Sequence, residues 1–316
     1  MSKVKNIFKN ARGELSALIM LAILWIIFGV GSPYFLTFRN IMNIGSYMSI
    51  MGTLAAGLTV AMLLGGLDVS QYALAALGGM VLGVLYEAGL NPYLILLCVL
   101  VLGIVGGSFN AFIITVMKVN PIICTMGTSF IFRGFAYLLT NGRYIRIDDP
   151  VFYFIGNGRI AGVPACLIIM LVTYTIIWYV LKYTVYGRSV FAVGGNLTVA
   201  KLAGINTNRV RFISHILAGI CAVLGGIITV CQASSCMASQ GYGNDMNGIS
   251  AVILGGISMA GGRGNVWGTL IGVGILSTLV NGMTLLEVNA YWQQIIQGLV
   301  LVSAVFIDAM RNAKRS

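Results

Sequence analysis

The stretch "YGRSVFAVGGNLTVAKLAGINTNRVRF" (residues 186–212) is polar and basic, yet it lies between two runs of apolar residues. It holds four basic residues, no acid, four glycines and three asparagines. Each flanking run is long enough to cross a bilayer, which takes about 20 apolar residues as a helix. The stretch therefore marks a water-exposed break between two membrane spans.

The whole chain has the composition of a membrane protein. Of its 316 residues 58% are apolar and 9% charged, and the mean hydropathy is +0.94, whereas a soluble domain has about 25% charged residues. Lipid leaves unpaired backbone amides unsatisfied, so spans are helices or a closed barrel. The apolar runs are long and lack the alternation of barrel strands. The sequence thus predicts an all-α polytopic membrane protein.

Ten apolar runs are candidate spans. The eighth is too short to cross as a simple helix, so it is either a half-helix or a re-entrant piece. The first is expected to be a retained helix rather than a signal peptide, because no small-residue cleavage site follows it. The predicted spans are 15–31, 46–66, 71–88, 93–117, 122–140, 164–182, 212–231, 248–260, 266–285 and 291–309.

The basic residues give this topology an orientation, because cytoplasmic loops collect Lys and Arg. With the amino terminus inside, all but five of the 19 basic residues fall on the inner side. The exceptions are Arg39, Arg143, Arg146 and Arg159 outside, and Arg133 within a span. The net charge of +11 is therefore explained by the basic residues of the cytoplasmic loops and does not indicate a nucleic-acid-binding surface.

This topology predicts one transmembrane domain over residues 15–309. A basic cytoplasmic tail precedes it at 1–14, a cytoplasmic segment at 183–211 contains the opening stretch, and a second cytoplasmic tail covers 310–316. We expect both termini to lie in the cytoplasm.

Signatures of catalysis are missing from the sequence. There is no Walker A motif, no Gly-x-Ser-x-Gly and no paired metal ligands, and His215, the single histidine, is interpreted as structural. The six cysteines are interpreted as small buried side chains, with a disulfide between Cys231 and Cys236 as the alternative. The chain is predicted not to be an enzyme and to hold no cofactor.

Polar side chains inside spans are the candidate functional residues, because burying them in lipid is costly. Arg133 either pairs with groups that fix helix packing or lines a translocation path. Asp68 follows two glycines and either caps the next helix or takes part in proton coupling. The other candidates either bond across helices or bind solute. The candidate path residues are Asp68, Asn110, Arg133, Asn281 and Gln294.

Two further patterns concern the inner side. "LLGGLDVS" (63–70) and "ILGGISMAGG" (253–262) are alike, and each would end a helix before a Gly-rich helix begins. Within the opening stretch, Asn196 is a predicted cap for a short helix "LTVAKLAG" with Gly204 as its stop. Such a helix either docks on a partner protein or lies on the lipid surface; the residues alone leave both open.

Long ordered motifs resemble a known family. The opening stretch, "GLTVAMLLGGLDVSQYALAALGG", "GSFNAFIITVMKVNPIICTMGTSFIFRGFAYLLTNG" and "YWQQIIQGLVLVSAVFID" are similar to those of the permease of bacterial ribose-type sugar ABC importers. The resemblance covers nearly the whole chain. Two departures stand out: the family's acidic run Gly-Tyr-Glu-Leu-Asp-Ala-Ile-Ala-Ala is "GNDMNGISA" here, and "GLDVSQYA" loses the last glycine of its motif. The first departure puts ribose itself in doubt.

The resemblance implies a permease of the type II importer kind in the bacterial inner membrane, working by alternating access on a monosaccharide or similar small polar solute. It implies a homodimer with the path along the dimer interface, surrounding lipid, a cytoplasmic ATP-binding subunit that carries ATP and Mg²⁺, and an extracytoplasmic solute-binding protein. A proton- or sodium-coupled carrier is the alternative, and a membrane scaffold is a third class. The implied coupling helix involves Gly194, Gly195, Asn196, Ala200, Lys201, Leu202, Gly204 and Ile205.

Overall fold

The computed structural model describes the backbone of residues 2–313 and the side chains of residues 15–306 and 310. Within this part the chain is helical apart from connections and four two-residue strands. The helices are α1 Ser2–Gly31, α2 Phe38–Leu63, α3 Gln71–Glu87, α4 Pro92–Thr115, α5 Pro121–Leu138, α6 Pro150–Asn157, α7 Ala165–Tyr183, α8 Val185–Gly195, α9 Leu197–Leu202, α10 Thr207–Ala233, α11 Asp245–Leu254, α12 Val266–Leu285 and α13 Ala290–Ala313. The strands are β1 Ile145–Arg146, β2 Arg159–Ile160, β3 Val163–Pro164 and β4 Ser235–Cys236.

The all-α membrane class is confirmed, whereas the number of crossings stays a prediction. Five helices of the described chain (α2, α4, α7, α10 and α12) are long and apolar enough to span a bilayer. Every predicted span coincides with a helix, but α11 is only 10 residues long. The predicted second span was misplaced at both ends: α2 begins at Phe38, where Thr37 caps it, and ends at Leu63. The predicted tail residues 314–316 lie outside the described part.

Several helices begin with the same local signal. Asn91, Asn120 and Asp149 each precede a proline, and each side chain accepts a hydrogen bond from a backbone N–H of the first turn. These N–H groups have no partner within the helix, and proline suits the first helical position because it lacks an N–H. The sequence thus sets the starts of α4, α5 and α6.

Helix α10 is the central element and packs against α2, α3 and α4. Glycines let it approach its neighbours at backbone distance. A Cβ built on Gly219 would lie 2.2 Å from the carbonyl oxygen of Gly103, and one on Gly226 would lie 2.2 Å from that of Ala75. On α4, a Cβ at Gly107 would lie 2.3 Å from the carbonyl oxygen of His215. At these glycines α10 therefore approaches α3 and α4 without an intervening side chain.

Two ends of the bundle can be distinguished. At the first, called the β1 end, β1 pairs antiparallel with β4, Ile145 opposite Cys236, beside the last turns of α3. At the second, called the α9 end, α8 and α9 lie near the turn after α2 and the turn after α11.

The cysteines are all free thiols, and five of them are buried. Cys231 and Cys236 do not form the disulfide considered as an alternative. Cys236 instead packs its sulfur against Gly83, whose added Cβ would lie 2.8 Å away. The interpretation of these residues as small buried side chains is confirmed for all but the half-buried Cys98.

Replacing Gly219 with Ala tests the packing of α10. The added methyl would overlap the Gly103 carbonyl, so we expect a loss of about 1–3 kcal/mol of stability and a lower midpoint of thermal unfolding in detergent. Gly127→Ala is the matched control, since nothing lies within 4 Å of its Cβ position. Equal midpoints for the two variants would contradict close packing at Gly219.

Candidate functional site

The chain between α10 and α11 turns back into the bundle. After β4, beside Gly83 of α3, residues 237–244 run past Gly79 to the ring of Tyr72 near the start of α3. These positions on α3 span eleven residues, or about 16 Å at the rise of an α-helix. We call residues 237–244 the re-entrant segment. Irregular backbone at this depth is tolerated only where it is buried in protein or lines a cavity.

Glycines shape the re-entrant segment. Gly241 and Gly243 have φ of +70° and +81°, a conformation that side chains disfavour. Successive turn bonds run from Gln240 N to Met237 O at 3.0 Å and from Asn244 N to Gly241 O at 3.1 Å. Helix α11 then begins at the depth of Tyr72, because a Cβ on Gly248 would lie 3.2 Å from its ring. Segment and helix together form an interrupted element, in which the short eighth run corresponds to a helix of 10 residues.

Arg133 of α5 holds this segment in place. The guanidinium, on a side chain only 8% exposed, donates from Nη1 to the carbonyls of Ala238 at 2.7 Å and Gln240 at 2.8 Å. It also lies 5.7 Å from the ring centre of Tyr242, within cation–π range. Hydrogen bonds from a charged donor are about twice as strong as neutral ones. The structure therefore places Arg133 against backbone rather than in an open path.

A cavity of about 160 Å³ lies between α2, α3, α10, α11 and the re-entrant segment. This volume is large enough for a small solute rather than a single water. Among the described residues that line it none is charged. Its polar lining consists of two aromatic hydroxyls, one aliphatic hydroxyl and three amides, from Tyr47, Tyr72, Thr229, Gln240, Asn244 and Asn247.

The amides of the lining are held by the re-entrant turn. Gln240 Nε2 donates to the carbonyl of Ser235 at 3.1 Å, and Asn247 Nδ2 donates to Asn244 Oδ1 at 3.1 Å. Each amide therefore keeps acceptor capacity that these bonds leave unused. The wall of the cavity therefore combines bonded amides with aromatic rings.

The predicted path residues lie elsewhere. Asp68 and Asn110 meet at the α9 end through Ser70: Asn110 Nδ2 donates to Ser70 Oγ at 2.8 Å, and Ser70 Oγ donates to Asp68 Oδ1 at 2.6 Å. Asp68 Oδ2 lies 3.8 Å from His215 Nδ1, and all four side chains are buried. Asp68 accepts from the backbone N–H of Ser70 directly before α3, whereas Ser70, the N-cap residue by position, makes no side-chain cap bond.

The two other predicted path residues are also outside the cavity. Asn281 of α12 exchanges two hydrogen bonds of 3.0 Å with Asn40 of α2, which fixes those helices to each other. Gln294 is exposed on α13. The sequence reasoning did not select the residues that line the cavity. A partial signal was the run of amides and glycines in "QGYGNDMNG" (240–248), the place where the family pattern is broken.

Helix α9 has the geometry predicted for it. Asn196 Oδ1 accepts from the N–H groups of Thr198 and Val199, both at 3.0 Å, and Gly204 ends the helix with φ of +79°. Ala200 is buried, whereas Val199 and Leu202 are 59% and 84% exposed. The cap and the stop are confirmed, and the helix presents a small apolar face outward.

Helix α8 connects α9 to the bundle. Tyr186 of α8 shares a hydrogen bond with Ser214 of α10. Burial raises the pKa of Tyr186 to about 12, although the bond with Ser214 lowers it. The hydroxyl therefore stays protonated at neutral pH, and the bond is present throughout the physiological range.

Replacing Arg133 with Met tests the anchoring of the re-entrant segment. The variant keeps an apolar stem but strips two carbonyls of their donor, and bonds to a charged group contribute about 1.5–3 kcal/mol. We expect amide hydrogen exchange in residues 238–244 to accelerate by roughly tenfold or more. Arg143→Met, which breaks an exposed pair with Glu87, is the control and should leave this segment unchanged. Equal rates of amide hydrogen exchange in the two variants would contradict the role of Arg133 in holding the re-entrant segment.

Comparison with known proteins identifies the family. The model of the branched-chain amino acid transport system / permease component family matches residues 40–305. The ribose import permease protein RbsC of Escherichia coli (strain K12) is 36% identical over 299 residues, 93% of each chain, and that of Bacillus subtilis (strain 168) is 35% identical over 97% of this chain and 96% of its own. The L-arabinose transport system permease protein AraH of Escherichia coli (strain K12) is 32% identical over 96% of this chain and 93% of its own.

The search of solved structures gives no significant match. The family match nevertheless runs from α2 into α13, which is most of the fold described above. The chain therefore belongs to this family of transport permeases, and within it to the group that resembles the ribose permeases.

Proposed function

We propose that this chain is the membrane permease subunit of an ATP-driven importer for a monosaccharide or similar small neutral solute. The cavity carries the proposal: two tyrosines and three amides meet at an interrupted helix in a chain whose relatives are named for ribose and arabinose transport. A sugar offers hydroxyls that donate and accept, and C–H faces that pack on rings. A site built to hydrogen-bond hydroxyl groups discriminates strongly against solutes that lack them.

The residues that line the cavity favour an uncharged solute, although the carboxylate of Asp245 lies near enough to interact with Tyr72 of the lining. A charged solute leaving water there would find no ionised partner among the described lining residues, at a cost of several kcal/mol. Neutral hydroxyl groups exchange their water for amide and tyrosine partners at much lower cost. The cavity thus agrees with a carbohydrate better than with an amino acid or a phosphate ester.

The interrupted helix supports alternating access. Transporters place solute sites at discontinuous helices near the middle of the bilayer. Here α11 and the re-entrant segment form one wall of the cavity, whereas α2, α3 and α10 form the others. Displacement of α11 relative to α3 opens the cavity toward one end of the bundle or the other.

ATP hydrolysis belongs to a cytoplasmic partner, with α9 as the coupling helix. Its outward face carries Val199 and Leu202, while Leu197 and Ala200 pack inward. Leu202 is too exposed to contribute to the core of this chain, so a protein cleft is its better environment. In this orientation residues 183–211 and both termini are cytoplasmic, and the partner carries ATP and Mg²⁺.

The remaining partners follow from the same orientation. The β1 end, with α6 and the β1–β4 pair, faces outward and receives solute from a binding protein. A second copy of the chain completes the permease in the bacterial inner membrane. These two partners are proposed because the chain is similar to permeases of import systems.

A proton- or sodium-coupled carrier is the second candidate, and Asp68 would be its acid. Two bonds from Ser70 occupy one carboxylate oxygen of Asp68, and the residue lies at the α9 end, away from the cavity. A coupling acid is expected on the solute path. The geometry of Asp68 therefore favours a structural role and the ATP-driven function.

Reconstitution in liposomes tests the function. The permease, its ATP-binding subunit and its solute-binding protein together should give ATP-dependent uptake of a labelled pentose or hexose. Omitting any component should abolish uptake, because this chain has no site for ATP chemistry in its sequence. Uptake by the isolated chain driven by a proton or sodium gradient would instead establish the carrier.

Substitutions in the cavity test the site. Tyr47→Ala and Asn247→Ala each remove a polar partner of the solute, so we expect uptake to fall by about tenfold with assembly of the complex unchanged. Tyr93→Ala is the matched control, because Tyr93 is 69% exposed on α4 and distant from the cavity lining. Equal uptake by all three variants would contradict a solute site here.

A further inference from the structure

Three turns meet by backbone contact behind α9. The N–H of Gly262 donates to the carbonyl of Leu63 at 2.8 Å. A Cβ built on Gly194 would lie 1.8 Å from that same carbonyl oxygen, and one on Gly262 would lie 2.5 Å from the Cα of Gly195. We call the contact of the end of α2, the end of α8 and the turn after α11 the glycine junction.

The two similar stretches of the sequence are both part of the glycine junction. "LLGGLDVS" supplies Gly65 and "ILGGISMAGG" supplies Gly261, with φ of +76° and +84°. A Cβ on Gly261 would lie 2.6 Å from the backbone nitrogen of Gly65. The two stretches therefore contact each other at glycine turns, although Gly65 corresponds in sequence to Gly255 and not to Gly261.

The glycine junction stands between α9 and the cavity. Gly194 and Gly195 precede the cap residue Asn196 directly, so α9 begins at the junction. From Gly65 the chain leads within seven residues to Tyr72 of the cavity. In the other direction, the turn after α11 leads back along one short helix to Asn247. Two of the walls of the cavity, α3 and α11, are therefore both connected to the support of α9 at the glycine junction.

Contacts between backbones transmit displacement without slack. A side chain can absorb a shift of an ångström by changing rotamer, whereas two backbones in contact move together or separate. We infer that the glycine junction is the mechanical connection through which movement of α9 reaches both walls of the solute cavity. This inference rests on the proposed function, in which α9 receives force from an ATP-binding partner.

Gly194→Ala in the reconstituted complex tests the connection, with Gly127→Ala on α5, outside the glycine junction, as the matched control. The methyl of Gly194→Ala would have to separate α8 from the Leu63 carbonyl, whereas nothing lies within 4 Å of the Cβ position of Gly127. We expect Gly194→Ala to assemble and hydrolyse ATP, but to move about tenfold less solute per ATP. The same ratio in both variants would overturn the inference, because a loss of stability alone leaves solute per ATP unchanged.

If Gly194→Ala does not fold, distances between spin labels in protein without any glycine substitution test the same connection. Spin labels are placed at Val199 of α9, at Arg263 in the turn after α11 and at Phe130 of α5, all of them exposed. On ATP trapping, the distance from Val199 to Arg263 should stay constant while that from Val199 to Phe130 changes. Equal changes in both distances would overturn the glycine junction alone. If neither distance changes when ATP is bound, both the proposed ATP-driven function and this inference are contradicted.

Discussion

Arg133 and the two carbonyls that it binds explain how an interrupted helix can exist in this bundle. Within lipid a broken helix leaves backbone groups without partners, and each costs several kcal/mol. The guanidinium supplies donors to Ala238 and Gln240 at the depth where the chain turns back. A buried charge and irregular backbone, each costly alone, thereby satisfy one another. The segment that this pairing holds is also the one that lines the cavity beside Tyr72.

The glycines fall into two physical classes. On α4 and α10, Gly103, Gly107 and Gly219 keep regular helical backbone and only remove bulk, so that helices pack at carbonyl distance. At Gly65 and Gly261 the backbone has positive φ, so glycine is needed for conformation as well as for space. The first class builds a rigid frame around α10. The second class builds the turns at which parts of that frame meet α9.

Local signals in the sequence predicted the local structure well. The Asn196 cap and the Gly204 stop of α9 depend only on residues within one helical turn. The eighth apolar run was predicted to be too short for a simple span, and the helix at this place has 10 residues. Arg133 was recognised as exceptional, but its partners were not, since they lie about 105 residues away and are backbone carbonyls without sequence identity. The cavity was missed for the same reason. Its polar lining comes from positions 47 to 247, and only tertiary packing brings them together.

The two walls of the cavity that meet at the glycine junction are held by different contacts. The turn before α3 is fixed to the frame: Val69 N donates to Thr125 of α5, and Ser70 connects Asp68 to Asn110 of α4. The turn after α11 contains a bond of 3.1 Å from Ser258 N to the carbonyl of Arg263, and its Gly262 N donates to the carbonyl of Leu63 at 2.8 Å. In the proposed function, force from α9 therefore reaches α3 through a turn that is bonded to α4 and α5, and reaches α11 through a turn that is bonded to the end of α2.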